Sequence, residues 1–425
     1  MTRKVPAEWW IEEPANTLMN VLNKPLDSAR FVGGCVRNTI LKLPISDMDV
    51  ATKHRPEEVI SLLENSGINV KATGLSHGTV TAFLSGVRFE ITTLRRDIKT
   101  DGRHAVVQYT DCWQEDAKRR DFTINTLLMD QFGKIIDPLN CKQDILDGRV
   151  IFVGCPSQRI QEDALRILRF YRFNAYFGCG SAEPKSLEAC KKHASLVSSL
   201  SGERIREELF KILTSKNVCD TLGLMQDGSI LGKLFSADVR LAELKALLTL
   251  EREKADPVLR LVTAFGIKPE ILAFKLKLPN KVSAQLAFLN GTEISANADS
   301  KSIKLLFYNY GVRQTLDLLM VKSALDEAIV NIYKYALEIS RDWKHPIFPI
   351  TGSDIVSLGV SPGLAIGKTL TATENWWIAN NFEPNHLSCI NWARGFIENE
   401  KEKSCLLYTS PSPRDLSTSR MPSSA

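Results

Sequence analysis

Between Ala29 and Asn140 the hydrophobic period changes every few residues, and Gly and Pro punctuate the changes. "ARFVGG" reads as a short apolar strand ending in a glycine pair, and "CVRNTILKL" as a short helix after it. "SDMDVAT" alternates polar and apolar positions, as a half-buried strand does. "RPEEVISLLENSG" has helical spacing and stops at Gly67. "GTVTAFL" and "VRFEITTL" are strands around Ser85-Gly86, and "AVVQYT" is another. This pattern predicts a mixed α/β unit. From about Ser157 the strand signal fades. "SQRIQEDALRILRFYRFNAYFG" keeps a helical period from an N-cap at Ser157 to a stop at Gly178. "EPKSLEACKKHASLVSSL" and "SGERIREELFKILTSK" continue as helices, and helix dominates to about residue 404. The Ser/Pro-rich end "LLYTSPSPRDLSTSRMPSSA" predicts a disordered or non-native extension.

A chain of 425 residues exceeds one core and suits several domains. With 44% hydrophobic and 24% charged residues it has an ordinary globular composition. No segment approaches eighteen consecutive apolar residues, so no membrane span is expected. The net charge of +5 tolerates a polyanionic partner without requiring one. The nine cysteines form neither a CxxC nor a Cys/His ligand set, which fits a reducing compartment. At the N-terminus Arg3 and Lys4 are followed by Glu8, Glu12 and Glu13, unlike an acid-poor transit peptide; a mature start or no presequence is expected.

Two features bring chemistry into the α/β unit. The turn "GGCVR" lets backbone N–H groups approach a phosphate, with Arg37 as a charge-assisted donor, though a Gly-Gly turn alone is an ordinary structural device. "DMD" places Asp47 and Asp49 two apart on a strand, hence on one face. Paired carboxylates repel unless a cation lies between them, and Mg²⁺ favours carboxylate and phosphate oxygens. Glu90, on a later strand, is a candidate third carboxylate. Strand, Gly-Gly turn, helix, DxD strand and a later acid together are the layout of a nucleotidyltransferase catalytic module. In such modules two metal ions hold the attacking hydroxyl, the α-phosphate and the departing pyrophosphate.

"GGCVRN…SDMDVAT", "TGLSHGTV", "FEITTLRRD", "DGRHA", "RRDFTIN", "EDALRILRFYRF" and "GERIREELFKIL" stand in the order found in class II tRNA nucleotidyltransferases, the CCA-adding enzymes. The chain resembles that family densely over residues 28–215 and more weakly beyond, with its loop closest to eukaryotic and mitochondrial members. The resemblance implies an α+β protein with a polymerase-beta-like head (1–150) and an all-helical remainder. That remainder would comprise a neck (151–215), body (216–300) and tRNA-binding tail (301–404), with 405–425 as the extension. It implies addition of C, C and A to tRNA 3′ ends from CTP and ATP with two Mg²⁺ ions. It implies no membrane or DNA partner, and mitochondrial or cytoplasmic use.

Position by position, Gly34 and Arg37 match the phosphate-contacting pair, Asp47 and Asp49 the metal ligands, and Glu90 the third carboxylate. Arg120 and Asp121 match contacts to the incoming phosphate and ribose. Asp163 and Arg166 match the base-reading pair, with Arg169 and Arg172 as further nucleotide contacts. Arg96, Asp101, Gly102, Arg103 and His104 fall in the flexible loop that helps switch from C to A. Asn38 and Thr126 depart from the family pattern, which has Asp and a smaller residue there; Asn38 puts a salt bridge behind the phosphate turn in doubt.

The charged helix also has a reading of its own. A carboxylate accepts hydrogen bonds and a guanidinium donates them. C and A each show an amino donor beside a ring acceptor, which Asp163 and Arg166 complement; U and G show the reverse. Each buried mismatch costs on the order of 1–3 kcal/mol. Glu162, four residues before Arg166, can hold its guanidinium in plane. The plainer alternative is an i,i+4 salt bridge on a neck helix, and one of Arg169 and Arg172 can pair with an acid such as Glu207. His77 reads as a turn residue, His104 as a loop contact, and Trp376 and Trp377 as helix core. Lys301, Lys304, Arg313 and Lys322 are candidate phosphate contacts or a solvated face. A poly(A)- or A-adding polymerase and a non-catalytic tRNA-binding protein are the competing functions.

Overall fold

The computed structural model describes residues 8–45, 47–75, 78–101, 104–252 and 254–408. His77, Gly102, Arg103 and residues 409–425 of the expected extension lie outside them. The chain divides into two compact units, residues 1–292 and 293–425.

In the first unit the strands are β1 (Ala29–Val32), β2 (Met48–Thr52), β3 (Asn69–Gly74), β4 (Thr79–Leu84), β5 (Val87–Thr93), β6 (Arg95–Asp101), β7 (His104–Tyr109), β8 (Leu128–Met129) and β9 (Ile135–Ile136). Seven of them form one sheet in the order β3-β4-β5-β2-β1-β8-β9. β2 runs parallel to β5, and β1 runs antiparallel to β2. Alternation along β5 assigns the faces: Phe89, Ile91 and Thr93 are buried, while Arg88 is exposed and Glu90 half-buried. Phe31 and Val50 are fully buried opposite each other, and Trp9 packs its ring 4.6 Å from Phe31. Helices Ala15–Leu22 and Pro56–Glu64 bury Leu18, Met19, Leu22, Val59 and Leu63. The parallel register sets Asp49 beside Glu90, a cross-strand pair of acids.

β3 escaped the reading of the sequence although "NVKATG" alternates polar and apolar positions, because its apolar side is only Val70 and Ala72. It is an edge strand, held through its ladder to β4. The segment 96–104, expected as a loop, is largely a two-stranded ribbon of β6 and β7. Asp101 and His104 are the last paired positions of that ribbon.

The single helix expected over 157–178 is two helices, Pro156–Glu162 and Leu165–Phe177. The first begins on Pro156, behind Cys155, rather than at Ser157. The break is Asp163, whose backbone is extended (φ −154°, ψ 108°). Its Oδ1 accepts the Leu165 N–H at 3.1 Å, a local bond that competes with helix continuation. Asp163 therefore does not share a helix with Arg166, Arg169 and Arg172. Beyond the break Ile167, Leu168 and Phe170 are fully buried, with Phe170 stacked 5.8 Å from Phe152.

Helix Gly202–Leu213 packs along helix Leu165–Phe177. Its last turn is tied down by buried Arg260, which donates to the Leu213 and Ser215 carbonyls at 2.6 and 2.9 Å. Arg260 is paired with Glu251 at 2.6 Å. The second unit is helical among its described residues, including Ser300–Tyr310, Leu364–Ala379 and His386–Tyr408. Ile350, Ile355, Trp377, Cys389 and Ala393 form a core cluster there. Trp377 is buried as expected of helix core and donates its indole N–H to the Pro384 carbonyl at 3.0 Å, while half-buried Trp376 stacks on Trp392. No helix among the described residues is long and apolar enough to cross a membrane.

Removing Arg260 strands the buried Glu251 carboxylate and two helix-end carbonyls. Arg260→Ala should destabilise the protein by about 3 kcal/mol or more, seen as a lower urea midpoint; an unchanged midpoint would show that the network holds nothing.

Candidate active site

The sheet edge after β1 turns sharply at Gly33 (φ +73°), which only glycine adopts without strain, and helix Gly34–Ile40 follows. A Cβ at Gly33 would lie 3.8 Å from both Asp49 Oδ2 and Arg120 Nη1, so the turn lies close against both side chains. Asp49 is on β2, but β2 begins at Met48, so Asp47 sits in the segment leading into the strand rather than on it. Both carboxylates still line one cleft of about 920 Å³. Burial raises the Asp49 pKa to about 6, with Glu90 and Asp47 adding repulsion and Arg120 opposing it. Glu90 is ion-paired with Arg88. No group of three or more His, Cys, Asp or Glu among the described residues is gathered closely enough to hold a metal ion. Asp47 and Asp49 are two carboxylates on this cleft, with Glu90 alongside and engaged by Arg88.

The opposite wall is cationic. Arg37 is buried, and its Nη1 donates to Asn125 Oδ1 at 2.6 Å. Its Nε and Nη2 donate to Asn38 Oδ1 at 3.2 and 3.0 Å. Asn38 thus supplies a neutral acceptor where the family pattern has a charged one. Burial lowers the Arg37 pKa to about 10, and neighbouring Arg172 lowers it further while Asp121 opposes. Arg120 is paired at 2.9 Å with Asp116, which is itself 2% exposed and also paired with Arg119. Arg169 grips Asp121 Oδ2 with Nε at 2.7 Å and Nη2 at 2.5 Å. Asp121 Oδ1 accepts from Phe122 N and Asn125 Nδ2 at 2.9 and 3.0 Å. Burial alone would raise the Asp121 pKa; Arg169 and these donors outweigh it and hold the carboxyl at about 2. Arg172 donates from Nε to Glu208 Oε2 at 2.5 Å. Its partner is Glu208 rather than Glu207, because Glu207 lies one step round the helix and faces the cleft.

The structure therefore brings together Gly34, Arg37, Asp47, Asp49, Glu90, Arg120, Asp121, Arg169 and Arg172 on one cleft. Asp163 and Arg166 are not part of that wall among the described residues. Arg166 Nη1 donates to Glu162 Oε2 at 2.6 Å, the clamp expected from the spacing, and to the Arg159 carbonyl at 3.0 Å. Asp163 Oδ2 accepts from Arg204 at 2.8 Å. Asp163 still stands near the wall, since its charge acts on Arg169. Arg96, on β6 of the separate two-stranded sheet, is not among the cleft's lining residues and donates to Gln108 Oε1 at 2.9 and 2.6 Å. The sequence reading gave no role to five lining residues: Met48, Arg88, Asn125, Phe173 and Lys211. Signals existed for two of them, as Arg88 shares a strand face with Glu90 and Lys211 follows Glu207 by four on a helix.

Residues 29–151 match the family described as "Poly A polymerase head domain", and residues 181–237 that described as "Probable RNA and SrmB- binding site of polymerase A". The chain is 32% identical over 383 residues to "CCA tRNA nucleotidyltransferase 1, mitochondrial" of Homo sapiens, covering 87% of each. It is 31% identical over 389 residues to the CCA-adding enzyme of Limosilactobacillus fermentum, covering 86% of this chain and 92% of that protein. Its fold matches the crystal structure of the Bacillus stearothermophilus CCA-adding enzyme in complex with CTP with a TM-score of 0.71 at 24% identity. That match covers 92% of this chain and all of the other. The fold is thus the nucleotidyltransferase head with a helical body.

The Asp121–Arg169 pair carries a pH dependence. A carboxyl held at about 2 against about 3.9 when unfolded stabilises the fold at neutral pH by about 3 kcal/mol, and the gain is lost as pH falls from about 5 through 2. The stability advantage of wild type over Asp121→Asn, followed by denaturant titration, should be full at pH 7 and shrink steadily between about pH 5 and 2; a pH-independent difference would contradict the assignment.

Proposed function

The chain belongs to the CCA-adding tRNA nucleotidyltransferases, and we propose that it extends tRNA 3′ ends with C, C and A from CTP and ATP. In each step the tRNA 3′-hydroxyl attacks the α-phosphorus, a phosphodiester forms and pyrophosphate leaves. The observation that carries the site reading is one cleft with a carboxylate pair on one wall and four arginines on the other. Asp47 and Asp49 are the residues that would hold Mg²⁺. The ions, when bound, neutralise charge on the reacting phosphate and orient the attacking hydroxyl.

The remaining roles belong to the chain itself. The Gly33–Gly34 turn brings backbone close to the triphosphate, and Arg37, Arg120, Arg169 and Arg172 neutralise it. These arginines are held by Asn125, Asp116, Asp121 and Glu208, so their reach is preset before nucleotide arrives. Glu90, held by Arg88, borders the carboxylate pair. Asp163 and Arg166 read the base edge, with Glu162 and Arg204 orienting them. The ribbon β6–β7 carries the segment that adjusts the site between C and A. Residues 1–150 form the head, 151–215 the neck, 216–300 the body and 301–404 a tail that contacts tRNA; the relatives' names favour mitochondrial use. The match to a poly(A) polymerase head favours an A-adding enzyme as the second reading. A tRNA ending at its discriminator base, incubated with Mg²⁺ and each NTP singly and together, separates them: CCA supports the first, a long A tail the second.

Asp47→Ala and Asp49→Ala should each reduce labelling of that tRNA to below about one-thousandth of wild type; undiminished labelling would refute the metal assignment. Asp163→Ala should keep incorporation but lower the preference for C and A over U and G by roughly a hundredfold, and wild-type selectivity in the purified variant would refute the base-reading role.

A further inference from the structure

Phe173 has no role in the reading above, yet it sits at the centre of the cationic wall. Its ring is 4% exposed and lines the cleft. The guanidinium carbons of Arg172, Arg169 and Arg37 lie 4.1, 5.3 and 5.4 Å from its centroid. The ring is itself fixed, edge-on to Phe122 at 5.3 Å and 6.0 Å from Phe177. Three like charges gathered this closely repel, and among the described residues two direct carboxylate partners serve them. Asp121 serves Arg169 and Glu208 serves Arg172, whereas Arg37 has only the amide oxygens of Asn125 and Asn38. A second ring helps, as Arg37 also stacks 3.9 Å from Phe177. An aromatic quadrupole attracts cations without adding an anion that would compete with a phosphate. A carboxylate in the same place would hold the arginines equally well and repel the ligand.

We infer that Phe173 is a positioning residue for the nucleotide's phosphates: its ring holds Arg37, Arg169 and Arg172 at fixed spacing with their free donors toward the cleft. This rests on the proposed nucleotide site. It implies that the contribution of Phe173 grows with the number of phosphates on the ligand and is indifferent to the base. A leucine fills much of the same volume but has no quadrupole, whereas a tyrosine keeps the ring.

The test compares Phe173→Leu with Phe173→Tyr in the full chain. Equilibrium binding of inorganic triphosphate, CMP and CTP is measured by calorimetry, alongside steady-state kinetics on tRNA. Phe173→Leu should weaken triphosphate and CTP roughly tenfold and CMP much less. It should raise KM for CTP and ATP equally with kcat little changed, and Phe173→Tyr should restore wild-type values. Equal losses for CMP and CTP, or no rescue by Phe173→Tyr in a variant that melts like wild type, would overturn the inference. Unchanged triphosphate affinity in Phe173→Leu would do so as well. Failure of wild type to extend tRNA while the ring-dependent triphosphate binding persists would sink the functional reading and leave the role of Phe173 standing.

Discussion

The bidentate grip of Arg169 on Asp121 is the contact on which the rest of the site depends. Asp121 follows the head segment that carries Arg120, and Arg169 projects from the helix beyond the break. One ion pair therefore ties the cleft residues of the α/β unit to those of the helical segment. Asp121 is saturated: Phe122 N–H and the Asn125 amide fill its other oxygen. Asn125, in turn, presents its carbonyl oxygen to Arg37. A single chain of hydrogen bonds runs from the helix through Asp121 and Asn125 to the arginine behind the glycine turn. Removing Arg169 or Asp121 leaves the other as a charge without its partner, the costly kind of loss.

Each cleft arginine is held by a different acceptor, and this division reconciles attraction with repulsion. Guanidiniums gathered this closely repel one another; carboxylates that neutralised them fully would cancel the positive charge of the cleft. The structure sets each acid behind its arginine and fills the middle with a ring. The acidic side follows the opposite logic. Asp49 is crowded by Glu90 and Asp47, and its carboxyl is pushed upward instead of down. A cation is the natural relief for one wall, and a polyphosphate for the other.

Much of this was legible from residue order. The Gly-Gly turn, the DxD segment and the alternation in β5 each encode a local geometry, and local geometry sufficed to bring Gly34, Asp49 and Glu90 together. The partners were less legible. Nothing in the spacing pairs Asp121 with Arg169, 48 residues on, because Asp121 lies in a bend that packs against a distant helix, and nothing selects Glu208 over Glu207, because that choice depends on how two helices rotate against each other. Phe173 was invisible for the same reason. An aromatic after an arginine is ordinary core until its neighbours converge on it.

The charged stretch Glu162–Phe173 shows where a correct pattern conceals a wrong geometry. Steps of three from Asp163 to Arg172 read as one helical face, but Asp163 is the point where the helix stops and restarts. The break has a purpose that a continuous helix could not serve. In a helix the Asp163 carboxylate would be a neighbour of Arg166 and would pair with it. In the extended conformation it is claimed by Arg204 and by the Leu165 N–H, while Arg166 is claimed by Glu162. An acceptor and a donor of opposite charge are thereby kept from pairing with each other, each held instead by a partner of its own.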